Sequence, residues 1–215
     1  MINVCFINGS PKRQNSNSSY FINELCKLFN DNVKTKEYFI SNLMRDRALL
    51  EEIIQYDKIV FVSSLYVECL HSSMLDFMYA FEDFIKAKDN IKLDVYGIVN
   101  CGFIEGTHNK TTLDIMENYC KRLNLNWHFG IGIGGGEFMT LSKSLPLNSF
   151  IKRPVYNSLL ALKKSIENNS DIESDNILVN AKIPKIIFKF TGDNHWKFLA
   201  KKNKLTVKDI YKQLC

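Results

Sequence analysis

The sequence predicts a doubly wound α/β fold: a five-stranded parallel sheet in the order 2-1-3-4-5, helices on both faces, and a basic C-terminal extension. Two observations lead there. Strand-like and helix-like segments alternate, and the strand segments include unbroken apolar runs such as Ile59-Val60-Phe61-Val62, the pattern of strands buried on both faces. A hydroxyl-rich loop follows the first strand and runs into a helix, where free N–H groups and the positive end of the helix dipole make an anion site. Right-handed crossovers restrict the topology to few choices.

Each element has its own signal. Strands are expected over Ile2–Asn8, Thr35–Ser41, Lys58–Ser64, Lys92–Cys101 and Asn126–Ile133. Helices are expected near Ser18–Asn30, Arg45–Gln55, Ser72–Ala87, Thr111–Leu123 and Val155–Asn168. In the first helix, Phe21, Ile22, Leu25 and Phe29 recur at helical spacing and form one apolar stripe. The polar run Glu167–Asn176 suggests a linker. The expected organisation is therefore a domain over 1–168, a linker over 169–176 and an extension over 177–215, with Pro184 placed to start a helix. Gly130-Ile131-Gly132-Ile133-Gly134-Gly135-Gly136 contains G-x-G-x-x-G, but no acidic strand end follows about twenty residues later, so it reads as strand five entering a flexible turn near the ligand or a subunit interface.

Composition bounds the class. The 215 residues are 46% hydrophobic and 24% charged, ordinary for a soluble domain. The longest apolar runs fall short of a membrane span, and the N-terminus reads as a strand rather than a signal peptide, so a cytoplasmic location is expected. Cys5, Cys26, Cys69, Cys101, Cys120 and Cys215 form no C-x-x-C and no zinc or iron–sulfur spacing; no metal site is expected. The net charge of +5 belongs to the end of the chain, where residues 182–215 hold nine lysines and two aspartates. No nucleic-acid-binding motif accompanies those lysines, and a solvated face or a contact surface is the expected role.

Three loops should meet at the C-terminal edge of the sheet. Gly9–Ser18 offers Ser10, Lys12, Ser16, Asn17 and Ser18 to an anion, with Arg13 nearby. One helix cap needs fewer hydroxyls than this, so phosphate binding is expected. Ser63–Cys69 offers Leu65, Tyr66 and Val67 as an apolar wall. Asn100–Asn109 offers Gly102, Phe103 and Glu105, with His108 less directly placed. A phosphate cradle beside aromatic and glycine-containing walls suits a planar ring with a phosphate tail, and FMN is such a molecule. No side chain is expected to be catalytic, because Cys69 and Cys101 lack an adjacent His–Asp pattern and the flavin carries the chemistry.

These residues resemble the flavodoxin-like NAD(P)H-dependent FMN reductases over about residues 1–165. Gly9-Ser10-Pro11-Lys12 with Ser16-Asn17-Ser18 is similar to that family's Gly-Ser-Pro-Arg and Gly-Asn-Thr phosphate loop. Ser64-Leu65-Tyr66-Val67 resembles its Pro-x-Tyr-Trp segment, and Asn100-Cys101-Gly102-Phe103 its loop after strand four. Lys12 stands for arginine, Ser64 for proline and Val67 for an aromatic residue, changes that bear on affinity and substrate choice. The resemblance implies FMN as cofactor and hydride transfer from NAD(P)H to flavin. The electrons then pass to a small-molecule acceptor: a quinone, a nitro or azo compound, or free flavin. It also implies a homodimer. The alternative is a flavodoxin-type electron carrier without substrate turnover, against which a pI near 8.8 weighs because such carriers are acidic.

Overall fold

The computed structural model describes residues 1–12, 15–88, 91–168 and 175–212. Arg13, Cys215 and linker positions 169–174 lie outside the described residues. Two compact units divide the chain after Ala181.

In the first unit the sheet order is β2-β1-β3-β4-β5-β6 and every pairing is parallel. The strands are β1 (Ile2–Asn8), β2 (Val33–Phe39), β3 (Lys58–Ser64), β4 (Asp94–Asn100), β5 (Asn126–Ile133) and β6 (Ile177–Val179). The expected count of five is corrected to six. Ile177–Val179, expected in the extension, adds to the edge through Ile131↔Ile177 and Ile133↔Val179. A three-residue strand is too short to show alternation or a run, so its sequence carries no strand signal.

The pleat sends alternate side chains to opposite faces. Cys5, Ile7, Ile59, Phe61, Val95 and Val99 pack on one side in a core completed by α2 (Ile40–Leu43), α3 (Ala48–Ile53), α4 (Ser72–Lys86) and α5 (Lys110–Arg122). α4 shows why a helix forms there: Met74, Phe77, Met78, Phe81 and Ile85 repeat at three- and four-residue spacing and are buried. Val4, Phe6, Val60, Val62, Tyr96 and Ile98 are buried on the other side, which belongs to α1 (Asn17–Cys26) and α7 (Arg153–Asn168). The Tyr96 hydroxyl lies 3.0 Å from Ser165 Oγ on α7.

The glycine run is not a flexible turn. It opens the helix α6 (Gly136–Leu141), with Gly135 in the left-handed region at φ 69° as its N-cap. A Cβ on Gly136 would come within 2.6 Å of Asn100 Oδ1, so α6 lies closer to the end of β4 than any other residue permits.

The second unit holds α8 (Lys185–Lys202), which Pro184 caps as expected, and α9 (Val207–Ile210), closed by a Thr206–Asp209 capping box. Ile186, Phe190, Trp196 and Phe198 are exposed. No helix among the described residues is long and apolar enough to cross a membrane.

Candidate functional site

A cleft of about 350 Å³ opens at the C-terminal edge of the sheet, between the ends of β1, β3 and β4. Ser10, Lys12, Asn15, Ser16 and Asn17 line it from the first loop, Ser64, Leu65 and Tyr66 from the second, and Asn100 and Gly102 from the third. Glu137, Thr140 and Leu141 of α6 complete the wall. Small-molecule sites occupy about 300–1,000 Å³, so the cleft is of ligand size.

The first loop is shaped from beneath. Asn8, fully buried at the end of β1, accepts a hydrogen bond from the Ser10 N–H at 2.9 Å through Oδ1. Its amide donates to Glu37 Oε1 at 2.6 Å and to Ser19 Oγ at 2.9 Å. Ser10 Oγ accepts the Lys12 N–H at 3.2 Å. Ser16 is the N-cap of α1 and accepts the Ser19 N–H at 3.0 Å. Asn17 Oδ1 accepts from the Thr140 hydroxyl at 2.9 Å, tying the start of α1 to α6. Ser18 is fully buried, and its hydroxyl has no hydrogen-bond partner among the described residues. This donor set fits a phosphate: hydroxyls, an ammonium, and a helix first turn whose N–H groups have no carbonyl within the helix to accept them.

The second loop makes a two-residue turn. The Tyr66 N–H donates to the Cys69 carbonyl at 2.8 Å and the Cys69 N–H to the Tyr66 carbonyl at 3.0 Å. Val67 and Glu68 between them both have positive φ, 47° and 59°. That geometry leaves Val67 at the tip, 99% exposed and off the cleft wall. Tyr66 is 42% exposed, and its ring meets His71 edge-on at 5.4 Å. His71 Nε2 is hydrogen-bonded to the Gly9 carbonyl, so the second loop braces the first.

In the third loop, Asn100 is buried and donates to the Ser63 carbonyl at 3.0 Å, and its own carbonyl accepts the Leu65 N–H at 2.7 Å. Phe103 stacks on His108 with centroids 4.2 Å apart, and His108 Nδ1 lies 3.3 Å from Glu68 Oε2. Neither Phe103 nor Glu105, which precedes a 3-10 turn over Gly106–Asn109, lines the cleft. Burial pushes the Cys101 thiol up.

Of the eleven expected binding residues, the cleft thus brings together Ser10, Lys12, Ser16, Asn17, Leu65, Tyr66 and Gly102, whereas Ser18, Val67, Phe103 and Glu105 stand outside its lining. Sequence reasoning missed the α6 wall. Its signal was present: Glu137 in a first turn directly after glycines, with apolar Phe138, Met139 and Leu141 following.

No protein-family model matches the chain, and no curated protein matches it. Solved structures do. A quinone oxidoreductase, NAD(P)H-dependent, from Methanothermobacter marburgensis has a TM-score of 0.51 at 11% identity, covering 79% of this chain and 96% of its own. The apo form of an NADH:FMN oxidoreductase has a TM-score of 0.51 at 12% identity, covering 86% and 93%. A mutant flavodoxin from Pseudomonas aeruginosa has a TM-score of 0.50 at 10% identity, covering 77% and 99%. With the parallel sheet and its flanking helices, these likenesses establish a flavodoxin-like fold.

Proposed function

We propose that the cleft binds FMN and that the protein is an NAD(P)H-dependent oxidoreductase. The observation that carries this reading is convergence. An anion-binding loop, an aromatic wall at Tyr66 and an exposed backbone at Gly102 line one cleft at the position where doubly wound sheets bind ligands. Similarity of fold to reductases, at low identity, adds support.

Bound FMN would supply two-electron chemistry: hydride in from NAD(P)H, electrons out to a quinone, a nitro or azo compound, or free flavin. The chain's residues have the remaining tasks. Ser10, Lys12, Ser16 and Asn17 would bind the phosphate. Leu65 and Tyr66 would border one side of the ring, and Gly102 another. We further propose a cytoplasmic homodimer, with the exposed apolar residues of the second unit available for a subunit contact.

The test is an FMN titration of the purified protein, followed by anaerobic addition of each nicotinamide. Quenching of flavin fluorescence and bleaching of the visible band by NADH or NADPH are expected, with colour restored by a quinone. Absence of binding overturns the reading. Binding without reduction by either nicotinamide replaces it with an electron carrier of the flavodoxin type.

A further inference from the structure

Lys152 is fully buried, and among the described residues no carboxylate lies within ion-pair distance of it. A buried ammonium is costly unless each N–H finds an acceptor. Here three carbonyls accept: Ser142 at 2.7 Å, Leu145 at 3.1 Å and Met139 at 3.2 Å. The Tyr20 hydroxyl is a fourth, more distant acceptor at 3.5 Å, so the three donors of the group are fully supplied. The Tyr20 ring lies beneath it, with its centroid 5.7 Å from Nζ. Burial lowers the pKa of Lys152, and the Glu24 carboxylate opposes that by a smaller amount.

The position of these acceptors gives Lys152 a purpose. Met139 lies in α6 and Ser142 is its C-cap. The carbonyl end of a helix is its negative pole, and a cation there is favourable. α6 carries Glu137, Thr140 and Leu141 into the cleft wall, and Tyr20 belongs to α1, whose N-terminus forms the anion site. At its other face α6 is fixed to α1 by the Thr140–Asn17 hydrogen bond. One internal cation therefore draws together the end of α6, the turn after it and α1. A six-residue helix has too few internal hydrogen bonds to hold itself.

We propose that Lys152 is a positioning residue for the cofactor site: it holds α6 as the cleft wall, and without it the wall loosens and the bound cofactor escapes faster. This rests on the assignment of the cleft to FMN. The test uses the full-length protein and two readouts, amide hydrogen exchange without FMN and FMN affinity by fluorescence. Lys152→Met keeps the apolar stem but strands the Met139 and Leu145 carbonyls, while the Ser142 carbonyl keeps the Leu145 N–H at 2.9 Å. Exchange over residues 136–145 should rise about ten-fold or more while β1, β3 and β4 stay protected. FMN should bind roughly ten-fold more weakly, chiefly through a faster off-rate. Lys152→Gln keeps two N–H donors and should recover part of both effects; it carries the same measurements if Lys152→Met does not fold. Unchanged exchange over 136–145 overturns the proposal, as does a loosened α6 with wild-type FMN affinity. Failure of the wild type to bind FMN would overturn the cofactor assignment instead, and is seen before any variant is made.

Discussion

Lys58, Asp94, His128 and Asn126 stand where β3, β4 and β5 begin; Ser10, Lys12, Asn17 and Asn100 stand where β1 and β4 end. At the first edge the polar groups bond to one another. Asp94 pairs with buried Lys58, lies 3.1 Å from His128 Nε2 and accepts from Asn126 at 2.6 Å. At the second edge Ser10, Lys12, Asn17 and Asn100 line a cleft. Polar groups that bond to one another, as at the first, closed edge, add stability. Those lining the second, open edge leave hydrogen-bonding capacity for a ligand. The two edges should therefore separate under mutation, one governing stability and the other binding.

The largest effect is expected at the closed edge. Asp94→Asn leaves the Lys58 ammonium buried without its carboxylate, which costs about 3–5 kcal/mol. That corresponds to a fall of roughly 6–20 °C in Tm for a chain of this size. FMN affinity measured below the transition should not change; a large loss of affinity would mean that the two edges are coupled. The same carboxylate sets an acid limit. Burial alone would raise its pKa, but the hydrogen bonds from His128, Lys58 and Asn126 outweigh burial and hold it well below the usual carboxylate range. A folded-state pKa below the unfolded value of about 3.9 gives stability that is complete above that value and lost as pH falls through the lower folded value. Urea midpoints should drop more steeply below pH of about 4 in the wild type than in Asp94→Asn. Parallel curves would count against the network.

At the open edge the sharpest separation is Ser16→Asp. Aspartate is as good an N-cap as serine and suits the helix dipole, so stability should stay within about 0.5 kcal/mol. Two negative charges about 5 Å apart at an effective dielectric near 20 repel by about 3 kcal/mol, so FMN should bind roughly a hundred-fold more weakly. Wild-type affinity in this variant would remove the start of α1 from the anion site. Ser16→Ala should show the reverse weighting, with about 1 kcal/mol of stability lost with the cap.

The difference between the edges also explains what could be read from the sequence. β1, β3 and β5 fall at the residues expected, because long apolar runs leave one option. The first cleft-lining loop was legible because its signal is local: small polar residues between a strand and an apolar stripe. α6 was hidden by its glycines, which mark a turn in sequence but serve a close approach to Asn100 in space. β6 was hidden by its length of three residues. Lys152, one basic residue before Arg153 and Pro154, resembles any surface lysine until three carbonyls 7 to 13 positions away close on it. Val67 looked like part of an apolar wall; two consecutive residues at positive φ turn it out to solvent. Such contacts depend on residues distant in sequence, and local pattern does not encode them.

The smallest effect separates surface from shape within the cleft itself. Tyr66 is partly exposed and held by its turn and by His71, so its side chain carries little of the fold. Tyr66→Leu should change stability by less than about 0.5 kcal/mol. If the ring presents an aromatic face to the cofactor, that face is worth about 1 kcal/mol beyond its area, and FMN affinity should fall by up to about ten-fold. Tyr66→Phe keeps the face and removes the hydroxyl, so its affinity should match the wild type. Equal losses in the two variants would instead assign the contact to the hydroxyl, and the second loop would then contribute a hydrogen bond where the sequence suggests a wall.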